Sequence, residues 1–191
     1  MRRKSGGAVR TLVGALALLL FLAGPGSGQD QGRADPEGGA SVVYLVRHAE
    51  RATDDPQDPT LSAAGEARAR ELARLLADAP LTRVFTTDYR RTVATATPTA
   101  EDHGLTLEIY DPRGEGMVRI AELLRSTPGH HLVVGHSNTT PALVEALGGD
   151  PVGSIDEMEY DRVYLVTVGA DGGVASTLLR FGEPYRREGE R

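Results

Sequence analysis

The sequence predicts one α/β domain in three layers, with a mostly parallel central sheet flanked by helices. Two observations predict this fold class. Short apolar runs rich in β-branched residues alternate along the chain with longer stretches of helical period, which is the order typical of βα units. The chain has 191 residues, of which 40% are hydrophobic and 25% are charged, values that are typical of a single globular domain.

The first half of the domain shows this alternation clearly. Valines dominate the first apolar run, which predicts a buried strand, and Leu72, Leu75 and Leu76 share one face of the first helix. Pro98 is expected to kink the second helix. The predicted elements, in chain order, are strand 41–46, helix 62–77, strand 84–86, helix 89–103, strand 105–110, helix 117–125, strand 132–135, helix 141–147, and strands 162–168 and 174–180.

The second half is divided by glycine and proline. Pro128 ends the third helix, and Gly148 and Gly149 end the fourth. The segment 169–173 contains three glycines and joins the last two strands, which predicts a β-hairpin. We expect this hairpin to add an antiparallel edge to the sheet.

The N-terminal segment predicts export. Residues 2–4 and Arg10 are basic, residues 11–23 are apolar and small residues follow through Gly28, which is the order of a secretory signal peptide. The apolar run of ~13 residues is shorter than the ~20 that span a bilayer. We therefore expect a secreted or periplasmic protein with no stable membrane span once the signal is removed. An uncleaved N-terminal anchor is the alternative.

Composition narrows the possible functions. The chain has no cysteine, which excludes thiol catalysis, a zinc–thiolate site and disulfides. Its formal net charge of −6 argues against a nucleic-acid partner, although a pocket can be basic within an acidic protein. The predicted organisation is a signal peptide (1–28), a disordered linker rich in polar residues and glycine (29–40), one domain (41–185) and a charged tail (186–191).

Basic side chains follow three of the predicted strands. Ligands of open α/β sheets bind beyond the carboxyl ends of the strands. Two histidines and several arginines therefore converge on one rim, which predicts a pocket for an anion. The three segments are Arg47-His48-Ala49-Glu50-Arg51, Thr87-Asp88-Tyr89-Arg90-Arg91 and His136-Ser137-Asn138.

Two predicted helix starts favour the same kind of ligand. Thr87 or Asp88 is expected to cap the second helix, which puts Arg91 in its first turn beside free backbone N–H groups. Thr140 and Pro141 are expected to start the fourth helix, with proline at its first position. Arginine suits a phosphoryl ligand because its planar fork matches the phosphate oxygens.

Three segments resemble motifs of the histidine phosphatase superfamily, whose best-known members are the cofactor-dependent phosphoglycerate mutases. Arg47-His48-Ala49-Glu50 resembles the Arg-His-Gly-Glu signature of that family. Residues 87–96 resemble its Ser-x-x-x-Arg-Ala-x-x-Thr-Ala segment, and residues 133–138 resemble its second histidine motif. The motifs occur in family order, and the resemblance spans roughly residues 42–147. It implies a phosphoglycerate mutase-like fold and a short member of the phosphatase type.

The resemblance implies a role for each matched residue. His48 would be the nucleophile that accepts the phosphoryl group. Arg47, Arg91 and His136 would bind and neutralise the phosphoryl oxygens, and Asn138 would add a hydrogen bond. No metal ion or organic cofactor is implied.

The residues around these motifs are assigned less directly. Arg51 is expected to bind substrate, and Glu50 to orient nearby basic groups. Asp111 or Glu115 is the candidate proton donor, with Asp111 favoured. Arg51 and Asp54 stand where mutases carry a small polar residue and an asparagine, which argues against mutase activity.

These inferences predict a phosphohydrolase that cleaves phosphomonoesters through a phosphohistidine at His48. The substrate would be a small phosphorylated molecule or a phosphoprotein. The alternatives are a module that binds phospho-ligands without turnover, a phosphohistidine phosphatase and a phosphoryl-transferring mutase. A metal site made by His48, Glu50 and His136, with the 130–131 histidine pair, is the chemical competitor, but the neighbouring arginines would repel a cation.

Other polar residues have plainer interpretations. Arg51 and Arg90 could face either the pocket or solvent. The acidic stretch 156–161 is expected to be a solvated loop or a pocket rim. Three histidines are expected to be structural, one near a helix end and two beside a turn: His103, His130 and His131.

Overall fold

A computed structural model describes residues 39–186 of the protein. Within them, six strands and four helices follow one another in the predicted order. The elements are β1 (Ser41–Arg47), α1 (Ala63–Leu76), β2 (Leu81–Thr86), α2 (Arg90–Asp102), β3 (Leu107–Ile109), α3 (Glu115–Ser126), β4 (Gly129–Gly135), α4 (Thr139–Ala146), β5 (Arg162–Val168) and β6 (Val174–Arg180).

The six strands form one mixed sheet in the order β3-β2-β4-β1-β5-β6. The strands β3, β2, β4 and β1 are parallel, whereas β5 runs antiparallel to β1 and β6 antiparallel to β5. The predicted antiparallel hairpin is therefore present at the edge of the sheet. Because β4 returns between β1 and β2, the carboxyl ends of these three strands lie side by side.

Each face of the sheet packs against its own pair of helices. On one face, Val43 of β1 lies in a buried cluster with residues of α3 and α4, including Leu143. On the other face, Val46 of the same strand lies in a cluster with residues of α1 and α2, including Leu72. The alternation of side chains along β1 thus builds two cores, and the predicted three-layer arrangement is confirmed.

The start of α1 packs directly against the segment that follows β1. The Ser62 side chain caps the helix by accepting a hydrogen bond from the Gly65 N–H at 3.2 Å. The Ser62 N–H in turn donates to the Glu50 carbonyl at 2.9 Å. A Cβ on Gly65 would overlap that carbonyl oxygen, so only glycine permits this approach. The contact fixes the segment that carries the first predicted motif.

The fourth strand differs from the prediction. β4 begins at Gly129, so His130 and His131 lie within the strand and pair with β1, and not beside a turn. His131 is buried, with its Nε2 2.9 Å from the Thr127 carbonyl. The second helix continues through Pro98 without a break.

The predicted helix starts are wrong. Tyr89 occupies the N-cap position of α2, and neither Thr87 nor Asp88 does. Asn138 occupies that position in α4, which makes Pro141 the third residue of the helix and not the first. The Thr87 hydroxyl, one of the two groups expected to cap α2, instead contacts His136 in the site described below.

Within residues 39–186, no helix combines the length and the apolar character needed to cross a bilayer. The predicted signal peptide lies outside the described residues, as do most of the predicted linker and most of the charged tail.

Candidate active site

β1 and β4 bring the two histidines of the motifs together. The strands pair in parallel up to Arg47 and Gly135, the residues that precede the two histidines. The backbone N–H of His48 donates to the Gly135 carbonyl at 2.9 Å, and the ring centroids of His48 and His136 lie 5.6 Å apart. Glycine is required at position 135, because a Cβ there would lie 2.9 Å from the Tyr110 hydroxyl.

His48 is only 4% exposed, and the environment of its ring determines its tautomer. Its Nδ1 lies 2.8 Å from the Ala49 carbonyl. Since a carbonyl oxygen can only accept, Nδ1 carries the proton and Nε2 keeps its lone pair. Burial, followed by the charges of Arg47 and Arg91, lowers the pKa of His48 from 6.5 to about 3. The imidazole is therefore neutral at pH 7.

Arg47 is held by the backbone of the segment before β5. Its Nη1 donates to the carbonyls of Asp156 and Glu159 at 2.8 and 3.1 Å. Its guanidinium carbon lies 4.2 Å from the centre of the Tyr160 ring. Its Nε is buried and has no hydrogen-bond partner among the described residues. This cation is thus fixed in place with one donor unused.

Arg91 enters the site from the first turn of α2. Its guanidinium carbon lies 4.5 Å from the centre of the Tyr89 ring, and its Nη1 lies 3.5 Å from Oδ1 of Asp58. Its Nε is also buried without a hydrogen-bond partner in the described part of the chain. The neighbouring Arg90 has a side chain that is 53% exposed, and it faces solvent.

His136 is held by hydroxyl groups. Its Nε2 lies 3.0 Å from the Thr87 hydroxyl, which is itself 2.9 Å from the Thr92 hydroxyl. The His136 N–H donates to Oγ1 of Thr139 at 2.9 Å. Burial, followed by the charge of Arg91, lowers the pKa of His136 to about 4. The second histidine is therefore also neutral at pH 7.

These side chains line a cavity of about 270 Å³, whose lining includes four arginines and one glutamate. At its mouth Arg51 forms an ion pair with Glu157, and Nη2 of Arg113 donates to the Tyr89 hydroxyl at 2.8 Å. Such a set of charges suits an anion. We call Arg47, His48, Arg91 and His136 the floor of the cavity, and Arg51, Arg113 and Glu157 its rim. The other lining residues are Tyr89, Pro112, Ser137, Asn138 and Thr139.

The family model for the histidine phosphatase superfamily, branch 1, matches residues 43–113. The match covers 71 of the 191 residues and makes this part of the chain similar to the superfamily. The matched segment contains the first histidine and the arginine motif. The second histidine lies beyond it, and the fold places that residue beside His48.

Solved structures share the fold of this chain. The protein histidine phosphatase SixA, complexed with tungstate, aligns with a TM-score of 0.59 at 20% identity over 73% of this chain and 96% of its own. A mycobacterial glucosyl-3-phosphoglycerate phosphatase aligns with a TM-score of 0.57 at 16% identity over 74% of this chain and 98% of its own. At these identities the likeness shows the phosphoglycerate mutase-like fold. No curated protein matches the chain in sequence.

Neither of the two acids predicted to be proton donors lines the cavity. Asp111 is exposed, and its Oδ1 accepts a hydrogen bond from the Arg113 N–H at 3.0 Å, which closes a turn before α3. The Glu115 side chain is 92% exposed, and its Oε2 lies 3.3 Å from Nη1 of Arg119. Among the lining residues the one carboxylate belongs to Glu157, on the rim.

Glu50 orients a basic group, but one outside the cavity. Nε of Arg68 donates to both carboxylate oxygens of Glu50, at 2.9 and 3.0 Å. Arg68 also donates to the carbonyls of Phe181 and Glu183, so the pair joins α1 to the C-terminal segment. Within residues 39–186 no group of three or more His, Asp or Glu side chains is placed to hold a metal ion.

The acidic stretch 156–161 is only partly the solvated loop or rim that the sequence predicts. Glu159 and Asp161 are each 2% exposed, and both bind Nη1 of Arg180, at 2.8 and 2.6 Å. Because the Glu159 carbonyl also holds Arg47, this buried ionic network supports the floor. Sequence reasoning treated these carboxylates as solvated because nothing in their spacing shows which arginine will meet them.

Sequence reasoning gave no role to four lining residues (Tyr89, Pro112, Arg113 and Thr139) or to the Thr87 hydroxyl that contacts His136. Arg113 follows β3 as Arg47 follows β1, so the same rule about strand ends, applied to β3, finds it. Tyr89 and the contact between Thr87 and His136 depend on how α2 meets the sheet, and no local signal marks them.

Proposed function

We propose that this protein hydrolyses phosphomonoesters through a covalent phosphohistidine at His48. The observation that carries the proposal is the tautomer of that ring. With Nδ1 bonded to the Ala49 carbonyl, the lone pair of Nε2 is available in a cavity lined by four arginines. A neutral imidazole is the form that can attack phosphorus. The match of residues 43–113 to the family model of the histidine phosphatase superfamily supports the same role.

The reaction takes two displacements at phosphorus. In the first, Nε2 attacks, the bond from phosphorus to the leaving oxygen breaks, and that oxygen keeps the electron pair and takes a proton from solvent. In the second, water attacks phosphorus, the N–P bond breaks, and the bonding electrons return to Nε2 as water gives up a proton. The products are an alcohol and orthophosphate. Dividing one hard displacement into two lowers the highest barrier.

The floor arginines are suited to the transferring group. Arg47 and Arg91 each have a buried Nε–H with no acceptor among the described residues. Since these N–H groups are closed to solvent, the two arginines would act on a phosphoryl group in the cavity they line through their charge and their outer donors. Fixed cations also stabilise the charge that spreads over the equatorial oxygens in the transition state, so neither step needs a metal ion.

The placement of the acids sets an expectation for the leaving group. Since Asp111 and Glu115 lie away from the cavity, no carboxylic acid among the described residues stands at the floor to protonate the leaving oxygen. A phenolate leaves without prior protonation more readily than an alkoxide. We therefore expect aryl phosphates to be hydrolysed faster than alkyl phosphates of similar size.

The test is a labelling experiment on the whole chain. We expect His48→Gln to lower turnover of 4-nitrophenyl phosphate by about 10³-fold or more, with EDTA present throughout. Quenching the wild type in alkali should trap a phosphoryl group that is stable in base, labile in acid and located on the peptide containing His48. His103→Gln is the matched control, because His103 lies at the end of α2 and its Nε2 is 3.0 Å from the Leu76 carbonyl. Undiminished turnover in His48→Gln would overturn the proposal.

A second candidate is a module that binds phosphorylated ligands without turnover. The observation that favours it is the absence of a carboxylic acid from the floor within residues 39–186. The same experiment separates the two functions. Binding of a phosphate ester with no label on His48 and no release of orthophosphate would support the binding module.

The size of the cavity bears on the substrate. A volume of about 270 Å³ is just below the usual range of about 300–1,000 Å³ for pockets that hold drug-sized ligands. This favours a small phosphorylated molecule. The likeness to SixA, which is described as a protein histidine phosphatase, makes phosphohistidine in a protein the alternative substrate.

We also propose that the protein is exported, on the basis of the basic, apolar and small-residue segments at 1–28. N-terminal sequencing of the protein recovered from the periplasm or the medium should begin near residue 29. Recovery of the uncleaved chain from the cytoplasm alone would contradict export.

A further inference from the structure

The two arginines at the rim differ in how they are neutralised. Arg51 is paired with Glu157. Arg113 forms no ion pair within residues 39–186. Its Nη2 donates a hydrogen bond to the Tyr89 hydroxyl at 2.8 Å, and its backbone N–H donates to Oδ1 of Asp111. A cation without a counter-ion at the mouth of a cavity attracts a negative charge on whatever enters.

Tyr89 ties Arg113 to the floor. The Tyr89 ring lies 4.5 Å from the Arg91 guanidinium carbon and 5.1 Å from the ring centroid of His136. Its hydroxyl accepts a hydrogen bond from Nη2 of Arg113 at 2.8 Å. The charge of Arg113 also reaches His136, because it is among the charges that lower the pKa of that ring. Arg113 therefore stands on the His136 side of the cavity, joined to the floor through one aromatic side chain.

We propose that Arg113 forms a second anion subsite, so that the preferred substrates are small phosphomonoesters that carry a further carboxylate or phosphoryl group. This inference rests on the proposed function, which assigns the scissile phosphoryl group to Arg47 and Arg91 at the floor. The second anion then binds at the rim, where the Tyr89 hydroxyl orients the guanidinium. One bond to Tyr89 leaves the other donors of the planar fork free for a carboxylate or phosphate.

The alternative place for a second anion is weaker. Arg51 also lines the cavity, but its guanidinium binds Glu157, and a ligand would have to displace that carboxylate. The Arg113 guanidinium gives up no ion pair within the described residues when it binds an anion. The two rim arginines therefore make different predictions when each is replaced.

The test uses pairs of substrates that differ by one negative charge. The first pair is 3-carboxyphenyl phosphate and 3-carbamoylphenyl phosphate, whose leaving groups have nearly the same size. The second pair consists of the corresponding 4-substituted esters, which place the charge at a different position on the ring. We expect the wild type to have a kcat/KM about tenfold or more higher for the carboxylate of at least one pair, as charge-assisted hydrogen bonds allow. Arg113→Met removes the charge and keeps the side-chain length, and it should bring that ratio close to one. Tyr89→Phe keeps the ring and should lower the ratio partway.

Arg119→Met is the matched control. Arg119 lies on α3, pairs with Glu115 and is not among the lining residues, so its loss should leave the ratio unchanged. Comparing ratios cancels any difference in the intrinsic reactivity of the esters. A ratio of carboxylate to carboxamide kcat/KM that Arg113→Met leaves unchanged in both pairs overturns the subsite. Absence of turnover for every ester overturns the proposed function itself, which makes the two failures distinguishable.

Discussion

The floor and the rim of the cavity are built in different ways. Arg47 ends the central strand β1 and His48 follows it directly; each is 4% exposed and held by backbone carbonyls. Arg51 and Glu157 lie on connecting segments, and their side chains are 48% and 69% exposed. The geometry of the floor is thus a property of the fold, whereas the rim depends on connecting segments that can vary without disturbing the sheet. Under the proposed function, the floor carries out the chemistry and the rim selects the substrate.

The largest expected effect tests the floor through two adjacent arginines. Arg91→Ala removes a cation from the transferring group, and we expect turnover of 4-nitrophenyl phosphate to fall by about 10²–10³-fold, as when one transition-state donor is lost. Arg90→Ala removes the same charge one residue earlier, from a side chain that is 53% exposed and faces solvent. Steady-state kinetics of the two variants should differ sharply. Similar losses in both would show that net charge near the mouth, and not the floor geometry, controls the rate.

The next effect concerns stability and compares two carboxylates that each pair with an arginine. The pair of Glu50 and Arg68 has side-chain exposures of 19% and 8%, whereas the pair at the rim is largely exposed. Breaking a buried ion pair costs about 3–5 kcal/mol, and an exposed pair contributes at most about 1 kcal/mol. Urea denaturation should therefore show a much larger loss in the free energy of unfolding for Glu50→Gln than for Glu157→Gln. Equal losses would show that the pair of Glu50 and Arg68 contributes no more to stability than the exposed pair at the rim.

The same division explains what the sequence could predict. The floor residues were found because each follows a strand or starts a helix, and local apolar runs reveal where the strands end. The fold class was predictable for the same reason, since each face of β1 carries its own core residues. The order of the three motifs then predicts that the four floor residues belong to one site.

The remaining site residues depend on distant contacts. Glu157 comes 106 residues after Arg51 in the sequence, and the two meet only because the segment before β5 returns to the carboxyl end of β1. Asp111 illustrates the opposite error: it follows a strand, but its carboxylate is used in a local turn. Position after a strand therefore predicts that a residue lies near the site, and the loop conformation decides where its side chain goes.

A smaller effect links the floor to acid stability. The folded-state pKa of His48 is lowered to about 3, below the unfolded value of 6.5. Between these values the unfolded chain binds a proton that the folded chain does not, so this contribution to stability is full above pH 6.5 and is lost as the pH falls toward 3. At pH 5 the loss is about 2 kcal/mol. We measure the free energy of unfolding by urea denaturation at pH 7.5 and at pH 5. Between these pH values His48→Gln should lose about 2 kcal/mol less of it than the wild type. An identical pH dependence would mean that folded His48 is protonated at pH 5.

The smallest expected effect tests how the floor is supported. Thr87 is fully buried, and its hydroxyl holds Nε2 of His136 at 3.0 Å, so Thr87→Val removes the hydrogen bond while keeping the volume. One hydrogen bond contributes about 1 kcal/mol, so kcat should fall by about five- to tenfold with little change in KM. Thr97→Val is the control, because its hydroxyl donates to the Val93 carbonyl within α2. A Thr87 variant with unchanged kcat would show that β4 and the backbone contacts of His136 are enough to orient the ring, and the floor would then depend on the strands alone.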